Sequence, residues 1–228
     1  MKLKNMLRLT HTLSAAAVLF AGIMPVAKAD TIFSSITTPD SFPGGRFPVL
    51  GPQAFGGTGY QAIGEEFTPS GNATLTETEV IVAFFSGEGD PHFNESLYTN
   101  NNGLPGTLVQ SLATDLTASS TPGAVDVDNL SIALTGGSSY WLVLSPFDGD
   151  TAVDWDDEGS SAQPEAISNS GPPPSAWTHA TASDKVQFAI DGTLAPTSAT
   201  PEPSSFVLLA TGLAGAVGVA RRRFAQTN

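Results

Sequence analysis

The chain contains no cysteine, and that absence removes disulfide staples, thiolate catalysis and every metal or haem site built on sulfur. Basic residues are nearly as scarce. Of nine lysines and arginines, only Arg46 and Lys185 fall within residues 30–200, against 21 acidic residues there, a net of −19. Such a surface repels nucleic acid and anionic lipid, whose phosphates require basic partners. The body also lacks the 3.6-residue periodicity of an amphipathic helix. No Gly-x-Ser-x-Gly elbow, His-Glu-x-x-His pair or phosphate-cradling Gly-Lys loop occurs. With His11 set aside in the N-terminal segment, only His92 and His179 remain, far apart in loop-like contexts. No catalytic residue and no nucleic-acid partner is expected.

What is present begins with an export signal. Residues 1–29 carry Lys2, Lys4 and Arg8, then an apolar run from Leu13 to Met24, then Ala27-Lys28-Ala29. A basic start, a short apolar core and an Ala-x-Ala site read as a signal peptide cleaved before Asp30. An N-terminal membrane helix is disfavoured because the apolar run is short and Pro25 follows it at once.

Residues 30–193 read as one domain, since a chain of that length buries a core without staples. Residues 31–60, rich in Gly, Pro, Ser and Thr, predict an extended, loop-heavy beginning. Beyond them, the apolar run from Glu79 to Phe85 predicts a buried strand. Val125-Asp126-Val127-Asp128 and the stretch from Leu130 to Leu134 alternate with period two, so each buries one face. Two more strands are expected, one from Tyr140 to Leu144 after a Gly136-Gly137-Ser138-Ser139 turn, the other from Lys185 to Ile190 before Asp191-Gly192. Gly, Pro and Asn clusters separate these runs, which predicts an all-β antiparallel sandwich of jelly-roll type. Asn102-Gly103 supplies a tight hairpin turn, and Pro105-Gly106 redirects the chain.

Two features of the body invite a ligand. Asp148, Asp150, Asp154 and Asp156 lie in a dense polar stretch, and hard oxygen ligands at that density suit calcium. The EF-hand spacing fails, because Ala152 and Val153 occupy its fifth and sixth positions. If the segment is a strand, Asp154 and Asp156 share one face and Trp155 the other, core-facing one. A solvated acidic loop is the commoner arrangement. Trp177, beside Pro172-Pro173-Pro174, is the best candidate for stacking on a sugar ring, with Tyr60 second. Trp141, in an apolar strand, is assigned to the core.

The C-terminal end has its own grammar. After a small polar linker at residues 194–200 come Pro201-Glu202-Pro203, an uncharged stretch at 204–220, and Arg221, Arg222 and Arg223. As a helix, that stretch spans ~26 Å at ~1.5 Å per residue, close to the ~30 Å hydrocarbon core of a bilayer. The arginines hold its far end in the cytoplasm, so the body lies outside. Residues 201–228 resemble the PEP-CTERM sorting signal. That resemblance implies recognition by an exosortase, a membrane-embedded processing enzyme of Gram-negative bacteria that make exopolysaccharide. It also implies a membrane helix before processing and a destination in the cell envelope, at the surface or in the extracellular matrix. Within the body, the hairpin from Leu97 to Val109 and the strand Tyr140-Trp141-Leu142-Val143 resemble those of choice-of-anchor R domains. The expectation is therefore a non-enzymatic exported surface or matrix protein. The alternatives are a carbohydrate-binding module for exopolysaccharide and, less favoured, a secreted glycosidase, for which 21 carboxylates supply candidate pairs but no pattern.

Overall fold

A computed structural model describes residues 29–36, 46–57, 59–84, 89–157, 165–169, 171, 176–180, 186–195 and 211. The chain divides into two compact units, Met1–Leu194 and Ala195–Asn228. The first holds two antiparallel sheets facing one another. The expected signal peptide, the tripeptide Pro201-Glu202-Pro203, the apolar stretch and Arg221, Arg222 and Arg223 lie outside the described residues. Among the described residues, no helix is long and apolar enough to cross a membrane.

The first sheet is organised around β4 (Ala73–Phe84), the longest strand in it. Along one edge it pairs with β13 (Phe188–Leu194) and then β10 (Ala152–Asp156), and along the other with β8 (Ile132–Leu134) and then β7 (Gly123–Val127). β1 (Asp30–Ser34) extends the sheet beyond β13, and β2 (Arg46–Leu50) extends it beyond β10. The second sheet runs β12 (Trp177–Ala180), β11 (Glu165–Ser168), β3 (Ala62–Phe67), β9 (Tyr140–Pro146), β5 (His92–Asn100), β6 (Pro105–Thr117).

The alternation of side chains explains the packing. Leu75, Val80, Val82, Val153, Trp155, Phe188 and Ile190 from the first sheet meet Ile63, Phe67, Phe93, Leu97, Leu142 and Leu144 from the second. Phe188 lies at the centre, stacked on Phe33 at 5.0 Å and edge-on to Trp155 at 6.0 Å. The Trp155 indole N–H donates to the Gln187 carbonyl at 3.0 Å, so burial leaves no orphan there. Each such aliphatic or aromatic side chain contributes roughly 1.5–3 kcal/mol on leaving water, which holds the sandwich together without disulfides.

Several sequence expectations are revised. Residues 31–60 carry two edge strands, β1 and β2, and not loop alone. The last strand begins later than expected, at Phe188, and Asp191-Gly192 lie inside it as a bulge. Only glycine fits at 192, because a Cβ there would overlap the Thr74 carbonyl oxygen and Ile32. The expected hairpin forms as read. Asn102 and Gly103 take left-handed angles (φ 54° and 79°), and Asn101 and Leu104 exchange backbone hydrogen bonds of 2.8 and 3.2 Å. The strand after it, β6, runs on to Thr117, well past Val109.

Candidate functional site

The outer face of the second sheet carries a groove of about 780 Å³. Its floor follows from strand alternation. Phe93, Glu95 and Leu97 of β5 point into the sandwich, so Asn94, Ser96 and Tyr98 point out. Cross-strand neighbours complete the floor: Ser145 of β9 opposite Asn94, and Ser111 and Leu108 of β6 opposite Ser96 and Tyr98. The β5–β6 register shifts at four places, and bulges bend and twist a strand pair, which makes this face concave.

Loops raise the walls. Pro52 and Tyr60 come from the β2–β3 connection, Phe147, Asp148 and Gly149 from the β9–β10 loop, and Asn169 and Gly171 from beyond β11. The β9–β10 loop is fixed by Thr151, which is fully buried. Its hydroxyl accepts the N–H groups of Phe147 (3.0 Å) and Asp148 (3.2 Å) and donates to the His92 carbonyl (2.8 Å). Backbone bonds from Gly51 to Thr151 (2.8 Å) and from Gln53 to Gly149 (2.7 Å) tie the neighbouring wall to it. Asn94 is likewise held, donating to the Pro146 carbonyl at 3.0 Å and accepting from the Asp115 N–H at 3.3 Å. The aromatic lip is thus positioned before any ligand arrives, with Phe147 45% and Leu108 49% exposed.

A second depression of about 560 Å³ lies along the same hairpin, lined by Thr99, Asn100, Asn101, Pro105, Gly106, Thr107 and Trp177. Asn100 organises it. Its Oδ1 accepts the Gly103 N–H (2.8 Å) and the Trp141 indole N–H (3.3 Å), while its Nδ2 donates to Glu66 (2.9 Å). Trp177 stands half-buried on the edge strand β12, packed against a small outer cluster of Tyr98, Trp141, Val143 and Ala166. Trp141 is buried as expected, but in this outer cluster and not between the sheets. Among the described residues lining the two depressions, Asp148 is the one carboxylate and none is basic. Burial raises the Tyr60 hydroxyl pKa. That hydroxyl lies beside Ser145 without a hydrogen bond of regular geometry.

The four aspartates of the calcium expectation do not converge. Asp148 and Asp150 stay in the β9–β10 loop, where Asp148 Oδ1 caps the Asp150 N–H at 2.9 Å. Asp154 and Asp156 lie on β10, facing away from the core-side Trp155, and their partner is a cation already in the chain, Arg46 on β2. Burial, offset by Arg46 and reinforced by Asp156, pushes the Asp154 carboxyl up to about 6. Among the described residues, no group of three His, Asp or Glu is arranged to hold a metal ion. His92 contacts Asp90 (3.2 Å) and Asp115, and His179 lies on β12 near the hairpin tip.

Trp177 and Tyr60, singled out in the sequence, line these depressions, whereas Tyr98, Leu108, Phe147 and the serines between them were not singled out. Phe147 carried a weak signal as a lone aromatic opening the Asp-Gly-Asp loop, and the others carried none.

Comparison with known proteins adds information at one place only. No curated protein and no solved structure matches the chain. Residues 199–223 match the PEP-CTERM protein-sorting motif, the segment whose order of Pro-Glu-Pro, apolar run and arginines drew attention in the sequence. The chain is therefore an exported protein of the bacterial cell envelope, carrying a C-terminal PEP-CTERM signal for exosortase-dependent sorting.

Proposed function

We propose that this protein is a non-enzymatic component of the cell surface or extracellular matrix of a Gram-negative, exopolysaccharide-producing bacterium. The observation that carries the reading is the sorting motif at residues 199–223, set behind a strongly acidic β-sandwich. The position of β1 is in keeping with it. Among the described residues, strand pairing in β1 starts at Asp30, opposite Gly192, immediately after the expected cleavage site at Ala29. A secreted glycosidase, the less favoured alternative, uses two carboxylates ~5–9.5 Å apart, and Asp148 is the one carboxylate among the described residues lining the groove. Intact-mass analysis of the protein recovered from its native host tests the proposal. The expected species begins at Asp30 and has lost its C-terminal tail, and a mass equal to the full chain overturns the reading.

A second reading is favoured by the groove itself: the sandwich binds the polysaccharide among which it is deposited. A concave sheet face with fixed aromatic and aliphatic lips and neutral hydroxyl and amide groups suits sugar rings, which present apolar C–H faces and polar edges.

A further inference from the structure

We infer that the two depressions on the second sheet form one continuous track for an uncharged, extended polysaccharide strand. The inference rests on the carbohydrate-binding reading above and specifies its site and ligand class. Continuity comes from the β5–β6 hairpin. Tyr98 and Leu108, cross-strand partners, line the large groove, and the adjoining residues Thr99 and Thr107 line the smaller one. From Asn94 to Asn101 the strand advances ~23 Å at ~3.3 Å per residue, room for several sugar units in line. Both ends are open depressions and not closed cavities, so a polymer crosses the site along its length.

Charge selects the ligand. The body carries −19 over residues 30–200, yet among the described residues lining the track only Asp148 is charged, and it lies at one extremity with Phe147. An anionic polymer would find no cation there, and a cationic one would find a single carboxylate. A neutral glycan fits the hydroxyls of Ser96, Ser111, Thr114, Ser145, Thr99 and Thr107. At opposite ends lie two buried polar groups: the Tyr60 hydroxyl, beside Ser145 without a hydrogen bond of regular geometry, and the Trp177 indole N–H, which has no partner among the described residues. Leaving a polar group in that state costs free energy, and a ligand hydroxyl offset by a small side-chain movement supplies the missing partner. A protein strand added to edge strand β6 is the rival occupant. The bulges along β5–β6 and the left-handed Asp115 (φ 62°) interrupt the regular row of backbone groups that strand addition requires.

The test is binding of the full-length chain, in mild detergent, to neutral and anionic fractions of the host's exopolysaccharide. Soluble glucan, mannan and galactan oligomers of increasing length complete the panel. The expected result is binding to a neutral polymer, with affinity rising with oligomer length. Phe147→Ala and Leu108→Ser, both exposed, are expected to weaken it roughly tenfold each with the melting temperature unchanged. Trp177→Ala is expected to weaken long oligomers more than short ones. No binding to any polymer overturns the carbohydrate reading and the track together, whereas preference for the anionic fraction keeps the carbohydrate reading and overturns the neutral track. Binding that survives Phe147→Ala and Leu108→Ser overturns the track alone. A dimer that dissociates on Leu108→Ser assigns the surface to a second copy of the chain and overturns the proposal.

Discussion

Arg46 and Asp156 face each other directly across the β2–β10 pairing, and the same guanidinium reaches Asp154 two residues along. The contacts are 4.0 Å from Nε to Asp156 and 3.6 Å from Nη1 to Asp154. Both carboxylates are buried, whereas the arginine side chain is 45% exposed. The arrangement therefore protects the anions more than it buries a cation. Replacing Arg46 with Met leaves two carboxylates in a poorly solvated place with no counter-charge. The expected loss at pH 7.5 is about 1–3 kcal/mol, below that for a fully buried pair because solvent screens the arginine. The loss is expected to shrink towards pH 4, where the carboxyls take up protons and need no partner. Melting temperatures of both proteins across that range check it, and a deficit independent of pH would assign Arg46 a packing role only.

Calcium addresses the same residues from another side. Because Asp154 and Asp156 already hold Arg46 while Asp148 and Asp150 remain in the loop, millimolar calcium is expected to leave the melting temperature unchanged. A ligand that binds the folded state alone raises stability by mass action, so thermal melting with and without chelator is a direct measurement. A clear upward shift would restore the aspartates as a cation site.

The acidic interior predicts a direction of pH dependence. Glu95 points between the sheets, and its carboxyl is pushed up to about 7, chiefly by burial, with Thr78 opposing the shift and Asp126 adding to it. On the first sheet, Glu77 pairs across from Asp191 and Glu79 from Asp126. Both glutamates are raised as well, by desolvation first and by the like charges second. A carboxyl whose folded pKa exceeds its unfolded value binds more protons when folded. Its contribution is therefore fully favourable below the unfolded pKa, near 4.5 for a glutamate, and is lost as pH rises through the folded pKa. Stability is expected to fall from pH 5 to pH 7.5. Glu95→Gln, which keeps the shape and removes the charge, is expected to recover up to about 3 kcal/mol at pH 8 and almost nothing at pH 4. Urea titrations at both pH values decide it. Equal midpoints for the two proteins at pH 8 would mean that Glu95 is not strained by ionisation.

How much of this could be read from the sequence depended on whether neighbours in the chain were also neighbours in space. The strand from Glu79 was legible because central strands bury both faces, and the Asn102-Gly103 hairpin because its turn demands left-handed residues. β2 was missed because residues 31–60 are rich in Gly, Pro, Ser and Thr, yet an edge strand tolerates a proline such as Pro48 where no ladder hydrogen bond is needed. β6 was missed past Val109 because its bulges break the period-two signal. The aspartates divide between two settings: Asp154 and Asp156 lie on the extended strand, on the face opposite Trp155 as the period of two predicts, while Asp148 and Asp150 lie in the loop before it. The groove was invisible because its lining comes from five separated segments, each unremarkable alone.

The sorting signal gives the most decisive prediction. Within residues 199–223, two prolines flank Glu202, and the sequence predicts an extended backbone there, since proline fixes φ and bars its predecessor from helical angles. In sequence they stand between the sandwich and the apolar run, and the expected membrane arrangement has Glu202 just outside the bilayer, opposite Arg221, Arg222 and Arg223. Insertion is expected to depend on the apolar run and the arginines, and removal of the tail on recognition of the tripeptide. Glu202→Ala is therefore expected to leave export and insertion intact while blocking removal. A full-length, membrane-bound precursor should accumulate in the variant strain and not in the wild type, read by immunoblot of membrane and medium fractions. Deleting Arg221, Arg222 and Arg223 should act differently, weakening retention of the tail at the cytoplasmic face. If wild type and Glu202→Ala remain equally full-length in a host that has an exosortase, the tripeptide is not the recognition element in this chain, and the apolar segment serves as a plain anchor.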